Sequence, residues 1–293
     1  MSTPQPSILA PVPAHSRYVT VDLPPRLAPQ DVLARIAKME LPETVVLGLG
    51  AGFIQRLGKE IPGLRPFPAL TGPAGSIPAT GGDVWVWLQG EDRGELVHQS
   101  NAIVAQLGHG LTPTAVVDGF QHGDSQDLTG YEDGTENPEG EKAQAAAIVS
   151  GAGAGLDGSS FVAVQQWKHD LRLFKSHPQD EQDNMIGRRL ADNEEFDEAP
   201  ESAHVKRTAQ ESFTPEAFIL RRSMPWTDGM DAGLMFVAFG RSFDAYEAIL
   251  RRMLGLEDGV ADALFRFTRP LTGAFYWCPP RKGSGLDLSA LGL

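Results

Sequence analysis

Three stretches of the chain carry residue types that could do chemistry together. In Gly130-Tyr131-Glu132-Asp133-Gly134-Thr135-Glu136-Asn137-Pro138, two glycines bracket three larger residues and Asn137-Pro138 closes the run as a turn. Glycines so placed admit positive φ and let backbone approach a bound group, which makes Asp133 a carboxylate presented from a constrained loop. Asp-Gly is also a common turn dipeptide, so a plain capped surface turn fits the same residues. In Phe218-Ile219-Leu220-Arg221-Arg222-Ser223-Met224-Pro225, strand alternation puts Arg221 and Ser223 on one face with Ile219, and Arg222 on the other. A cation on a buried face needs an anion, so Arg221 with Ser223 reads as a pocket pair or as a structural salt bridge. Arg222 reads as an ordinary surface cation. His204, in Glu201-Ser202-Ala203-His204-Val205-Lys206-Arg207, ends a long acidic stretch and supplies an imidazole.

Other chemistries are excluded or weakened. Gly48-Leu49-Gly50-Ala51-Gly52-Phe53 follows a strand, but Phe53 stands where a dinucleotide fingerprint needs its third glycine. The seven histidines include no pair with zinc-ligand spacing, and most read as surface or structural residues. One histidine is nevertheless enough to hold a haem iron from one side. The single cysteine, Cys278, rules out an internal disulfide and an all-cysteine metal cluster within the chain. A formal net charge of −13 argues against nucleic-acid and anionic-membrane partners. Residues 1–15 are rich in Pro and Ser, without a basic or apolar leader, and read as a flexible arm; the expected location is cytoplasmic.

The elements that must position these residues follow one order twice. Residues 18–23 alternate like a strand, 30–39 have helical spacing, and 44–49 and 83–88 are β-rich. A helix over 95–107 and a strand over 114–120 complete a β-α-β-β-α-β unit. In the second half, 161–167, 217–223, 233–239 and 273–277 read as strands. Residues 181–191, 243–254 and 261–267 read as helices. The expectation is an α+β fold of two ferredoxin-like β-α-β-β-α-β domains with antiparallel sheets, over 16–150 (including the Asp133 loop) and 151–293.

At this point the motifs resemble a family. The Gly130–Pro138 stretch is similar to the GxxDG loop of the dye-decolourising peroxidases. Ile186-Gly187-Arg188-Arg189 through Ser202-Ala203-His204-Val205 resembles their proximal-histidine segment, and Ile219–Pro225 resembles their distal-arginine strand. The three occur in the family's order, and the compact chain resembles the bacterial B-type subgroup best.

The resemblance implies a haem b peroxidase with the cofactor held mainly by the second domain, acting on hydrogen peroxide and small aromatic electron donors. It implies His204 as the proximal iron ligand, Asp262 as the carboxylate behind its imidazole, and Asp133 with Arg221 as the distal pair. Ser223 stands where many relatives carry Asn, and Arg188 matches a haem-propionate partner. Asp133 would carry protons and Arg221 would stabilise charge as the O–O bond breaks. Donors too bulky for the pocket would be oxidised through aromatic side chains, with Tyr131, Trp167, Trp226, Tyr246, Tyr276 and Trp277 as candidates. A homo-oligomer is expected, and the apolar tail Leu286–Leu293 has the composition of a segment that docks on a nanocompartment shell. The alternative reading is a haem-handling protein with little peroxidase turnover.

Overall fold

The structure, a computed structural model, describes residues 2–293. β1 (His15–Val21) leads into α1 (Pro29–Ile36), β2 (Val45–Gly50) and the short α2 (Ala51–Arg56). A small hairpin, β3 (Leu70–Gly72) and β4 (Gly75–Ile77), precedes β5 (Val84–Gly90), α3 (Arg93–Leu107) and β6 (Ala115–Phe120). The second half opens with α4 (Gly140–Ala147), β7 (Ser160–His169), α5 (Leu171–Ser176), α6 (Gln179–Ile186) and α7 (His204–Thr208). It continues through β8 (Leu220–Arg221), β9 (Met224–Asp228), β10 (Asp231–Gly240) and α8 (Asp244–Met253). β11 (Thr268–Pro270), β12 (Ala274–Cys278) and the hairpin β13 (Arg281–Lys282) and β14 (Gly285–Leu286) end the chain.

The fold is mixed α+β and every strand pairing is antiparallel. The strands do not form two independent sheets. Within the first half the order is β6-β1-β5-β2, and within the second β12-β7-β10-β9. β2 pairs with β12 through Tyr276↔Gly50 and Trp277↔Leu49, and β6 meets β9 at Gly119↔Trp226. The ladder therefore closes on itself. Closure covers four strand edges whose backbone groups two separate sheets would leave open.

Period-two alternation decides what each face does. In β5, Trp85 and Trp87 point into the ring while Val84, Val86 and Leu88 point out. Inside, Tyr18 stacks on Trp87 with centroids 6.1 Å apart and Trp85 on Tyr276 at 5.8 Å. The outer face packs against the apolar stripes of α1 (Val32, Leu33, Ile36), α3 (Leu96, Ile103, Val104, Leu107) and α8 (Tyr246, Ile249, Leu250, Met253). Cys278 is fully buried, and burial pushes its thiol far above the ordinary range, so it is inert packing.

Several sequence expectations are corrected here. The N-terminal arm is docked. Thr3 bridges to Arg281, Ile8 is wholly buried, and Gln5 bonds both backbone groups of Leu47, donating to its carbonyl at 2.9 Å and accepting from its N–H at 2.8 Å. An apolar residue and an amide that mimics a strand outweigh the Pro/Ser-rich composition. The C-terminal tail is also used internally, with Leu286, Leu288 and Leu291 buried in the main core. The helix expected over 181–191 ends at Ile186, because Gly187 turns left-handed with φ 94°. α5, capped by Asp170 accepting from Leu173 N–H, was not expected at all. The strand expected over 217–223 is regular only at Leu220–Arg221 before the chain resumes at Met224.

Candidate functional site

After β6 the chain crosses to the second half and folds into a tight loop. Asp127 N–H donates to Tyr131 O and Gly130 N–H to Asp127 O, both at 2.8 Å, while Asp133 N–H donates to Ser125 O at 2.9 Å. Gly130 (φ 101°) and Gly134 (φ 92°) lie where a side chain would be strained, which is the physical content of their spacing. Asn137 then docks the loop on β8. Its Oδ1 accepts from Arg221 N–H at 2.8 Å and its Nδ2 donates to Arg221 O at 3.0 Å. The amide takes the place of a neighbouring strand, a role that reading Asn137-Pro138 as a turn does not reveal. Asp133 Oδ1 is left 3.5 Å from Arg221 Nη1, with the two side chains 21% and 18% exposed. That separation is an ion pair but not a hydrogen bond, so both groups keep capacity for a small polar molecule.

Across the cavity stands His204, the first residue of α7. Its Nδ1 lies 2.8 Å from Asp262 Oδ2, and the Asp262 side chain is fully buried. A carboxylate only accepts, so Nδ1 carries the proton and Nε2 is the free ring nitrogen. Asp262 is held in turn by Leu264 N–H, which donates to Oδ1 at 2.8 Å. The other two histidines of this half are occupied. His169 bonds Thr268 Oγ1 at 2.6 Å and Asp127 Oδ2 at 3.1 Å, and His177 pairs with Glu181 near the surface.

Between these walls lies a cavity of about 1350 Å³, counting its open mouth, lined by Asp133, Arg221, His204 and an apolar set including Ile186, Phe236, Ile249 and Leu264. Its floor is the outer face of β7 and β10, with α8 alongside. Gln165 lies on that floor, almost fully buried, accepting from Tyr246 Oη at 2.5 Å and from Trp167 Nε1 at 3.2 Å. Its Nε2 is buried without a partner. The signal for it was the Gln165-Gln166 pair inside the otherwise apolar run 161–167, where alternation puts Gln165 on the face of Phe161, Ala163 and Trp167.

The remaining sequence candidates fall elsewhere. Arg188 does reach the cavity, but its guanidinium is held by Glu136 at 2.6 Å and Glu195 at 3.0 Å. Ser223 does not line this cavity. It lines a neighbouring one on the other side of the Asp133–Arg221 pair, where Val237 N–H donates to its Oγ at 3.4 Å. Arg222 is half-buried rather than a free surface cation. It donates to the carbonyls of Arg221 and Leu9, its Nε has no partner, and burial lowers its pKa.

A family model described as "Dyp-type peroxidase, N-terminal" matches residues 25–121, and one described as "Dyp-type peroxidase, C-terminal" matches residues 124–283. The chain belongs to the Dyp-type peroxidase family. Among Dyp-type relatives, a dye-decolorizing peroxidase of Rhodococcus erythropolis is 30% identical over 94% of this chain and 86% of its own length. One from Mycobacterium tuberculosis is 32% identical over 80% and 73%. A putative Dyp-type peroxidase structure from Shewanella oneidensis superposes with a TM-score of 0.89 at 29% identity, covering 96% of this chain and 97% of that one. A variant of DypB from Rhodococcus jostii RHA1, solved in complex with heme, gives 0.86 at 28% identity, covering 93% and 94%. Among the described residues no helix is long and apolar enough to cross a membrane.

Proposed function

We propose that the chain is a haem b peroxidase in which His204 binds the iron and Asp133 with Arg221 acts on hydrogen peroxide. The observation that carries this reading is the opposition, across one cavity, of a carboxylate-backed imidazole and an arginine–carboxylate pair. The donor set fits the cofactor. Among the described residues no cluster of three or more His, Cys, Asp or Glu could hold a bare metal ion. A single imidazole suits an iron that arrives with its own four ring nitrogens. Haem supplies, when bound, the ferric iron at which peroxide is reduced.

The chain's own residues then have separable tasks. Asp262 fixes the tautomer and plane of His204 and makes the imidazole more basic. Asp133 takes the proton from the near oxygen of hydrogen peroxide and delivers it to the far oxygen, which leaves as water. Arg221, a fixed cation, stabilises the negative charge that develops as the O–O bond lengthens. Arg188 is placed to meet a propionate at the cavity edge, where that group would compete with Glu136 and Glu195 for the guanidinium. Ser223, in the adjoining cavity, acts on the approach to the distal pair rather than beside the iron. Small aromatic donors supply the two electrons that complete the reduction.

We further infer that each half is a ferredoxin-like unit, supported by the matching strand orders β6-β1-β5-β2 and β12-β7-β10-β9. Near-complete mutual coverage with DypB supports placement in the B-type subgroup. The test is haem reconstitution of His204→Ala and Asp262→Asn. The expected result is loss of the wild-type Soret band in the first and an altered ligation spectrum in the second. A wild-type spectrum from His204→Ala would overturn the axial assignment.

A further inference from the structure

Six aromatic residues are candidates to carry electrons from donors too bulky for the cavity, and the structure separates them by what their polar atoms touch. Tyr246 and Trp167 both donate to the Gln165 amide oxygen. Trp226 donates to Trp167 O at 2.9 Å, and Tyr276 to Gly81 O at 3.0 Å. The indole nitrogen of Trp277 is buried without a partner. Tyr131 alone donates to a carboxylate, Asp183 Oδ1, and it also accepts from Gln179 Nε2 at 3.1 Å. The difference is chemical. A phenol that loses an electron becomes a strong acid, and its oxidation is accessible only where a base takes the proton in the same event, which separates Tyr131 from Tyr246 and Tyr276. An amide or peptide oxygen cannot keep that proton, whereas a carboxylate can.

Position points the same way. Tyr131 directly precedes Glu132 and Asp133, both of which line the haem cavity. Its ring packs with Phe174, Met185 and Ile186, and Ile186 is itself a cavity wall. On the outer side, Gln179 is exposed, and Leu190, which is 40% exposed, donates its backbone N–H to Asp183 at 3.2 Å. One layer of side chains separates the ring from the cavity, and its base is half-buried beneath the exposed Gln179 and Leu190. Burial, then the hydrogen bond to Asp183, raises the phenol far above its ordinary value, so it does not ionise at neutral pH without losing an electron.

Building on the haem-peroxidase reading, we propose that the Tyr131–Asp183 pair is the surface site at which bulky aromatic donors are oxidised. After peroxide is reduced, the oxidising equivalent left in the cavity takes one electron from Tyr131, and the Oη–H proton passes to Asp183. The product is a neutral phenoxyl and a protonated carboxyl. A dye or phenol resting over Leu190 and Gln179 returns one electron to the phenoxyl, and Asp183 returns the proton. A phenolic donor releases its own proton to water. Two such cycles consume one hydrogen peroxide, yielding two waters and two donor radicals.

The test combines three readouts on wild type, Tyr131→Phe and Asp183→Asn, the first on the haem-free chain. There, the Raman tyrosine doublet should show one strong-donor phenol that is lost in both variants. In the haem-loaded protein, electron paramagnetic resonance after rapid freezing with peroxide and no donor should show a neutral tyrosyl radical. That signal should vanish in Tyr131→Phe and fall at least tenfold in Asp183→Asn. The ratio of kcat/KM for a bulky anthraquinone dye to that for a small phenol should drop at least tenfold in each variant. A tyrosyl signal that survives Tyr131→Phe, or an unchanged ratio, overturns the proposal. A wild-type chain that takes up no haem would instead fail the haem-peroxidase reading, while the Raman doublet would still report the dyad.

Discussion

Arg221 turns its guanidinium toward Asp133, whereas Arg222 donates to the carbonyls of Arg221 and Leu9. Replacing Arg221 with Leu should slow peroxide reduction by about 10²–10³-fold, the usual loss when a charge-stabilising donor is removed. Arg222→Leu should cost less than about tenfold, since that side chain touches only the neighbouring cavity. Stopped-flow mixing with peroxide measures both, and equal losses would sink the assignment of faces. Asp133→Asn keeps shape and polarity but cannot take up a proton, and should slow the same step by about 10²–10⁴-fold with haem binding retained. If it loses haem instead, the loop is a structural clamp. At this scale strand parity pointed to Arg221, while the family resemblance implied its pairing with Asp133 and the roles of His204 and Asp262; Asp133, Arg221 and His204 line one cavity, with Asp262 behind His204. The sequence was not readable where a role depends on which neighbour arrives. Arg222 looked like a surface cation because the arm that covers it lies more than two hundred residues away in sequence. Gln165 and the Tyr131–Asp183 bond are likewise contacts of packing, not of pattern.

Loop 121–139 works as an element because it is tied down at both ends. At one end His169 and Thr129 bond Asp127; at the other Asn137 replaces a strand beside Arg221. Burial alone would raise the Asp127 pKa, but the bonds from His169 and Thr129 outweigh it and hold the carboxyl below its ordinary value. A depressed carboxylate contributes stability that is complete above its unfolded pKa and is lost as pH falls through the folded one. Asp127→Asn should therefore be less stable than wild type by about 1.5–3 kcal/mol at neutral pH. The gap should narrow below about pH 4, where the unfolded carboxyl protonates. Urea unfolding across pH checks it, and a gap that widens in acid would reverse the sign. Asn137→Ala removes two hydrogen bonds worth about 0.5–1.5 kcal/mol each. It should slow peroxide reduction more than it lowers stability, because it frees Asp133 relative to Arg221. The regular elements were legible because each buries one face and so must repeat at 2 or 3.6 residues. α5 was missed because its six residues offer one capping Asp and a single buried Phe174, too short a run to show a period.

For the whole molecule, what no local pattern could show is that both chain termini pack against the ring of strands, one on each face. Ile8 plugs the interior beside Cys278, and Leu286, Leu288 and Leu291 fill the outer core. Asp287 links the two, accepting from Ser2 Oγ at 2.5 Å. Both segments read as loose from composition, because Pro, Ser and Gly set backbone preference without saying what a few apolar residues between them will meet. The tail is where the two views differ most in outcome. A docking peptide for a shell partner would be free of the body, so deleting Leu286–Leu293 would leave stability unchanged. The burial of Leu286, Leu288 and Leu291 predicts a loss of stability instead. Burying one leucine is worth about 1.5–3 kcal/mol, so three should contribute about 5–9 kcal/mol. That is comparable to the total stability of about 5–15 kcal/mol typical of a folded domain. The deletion should therefore yield a chain that is unfolded or melts far below the full-length protein, with haem uptake lost as a consequence. Leu293→Ala, at a side chain 61% exposed, should melt within a degree or two of wild type. A truncated chain that unfolds at the wild-type urea midpoint would show that the tail is not part of the core.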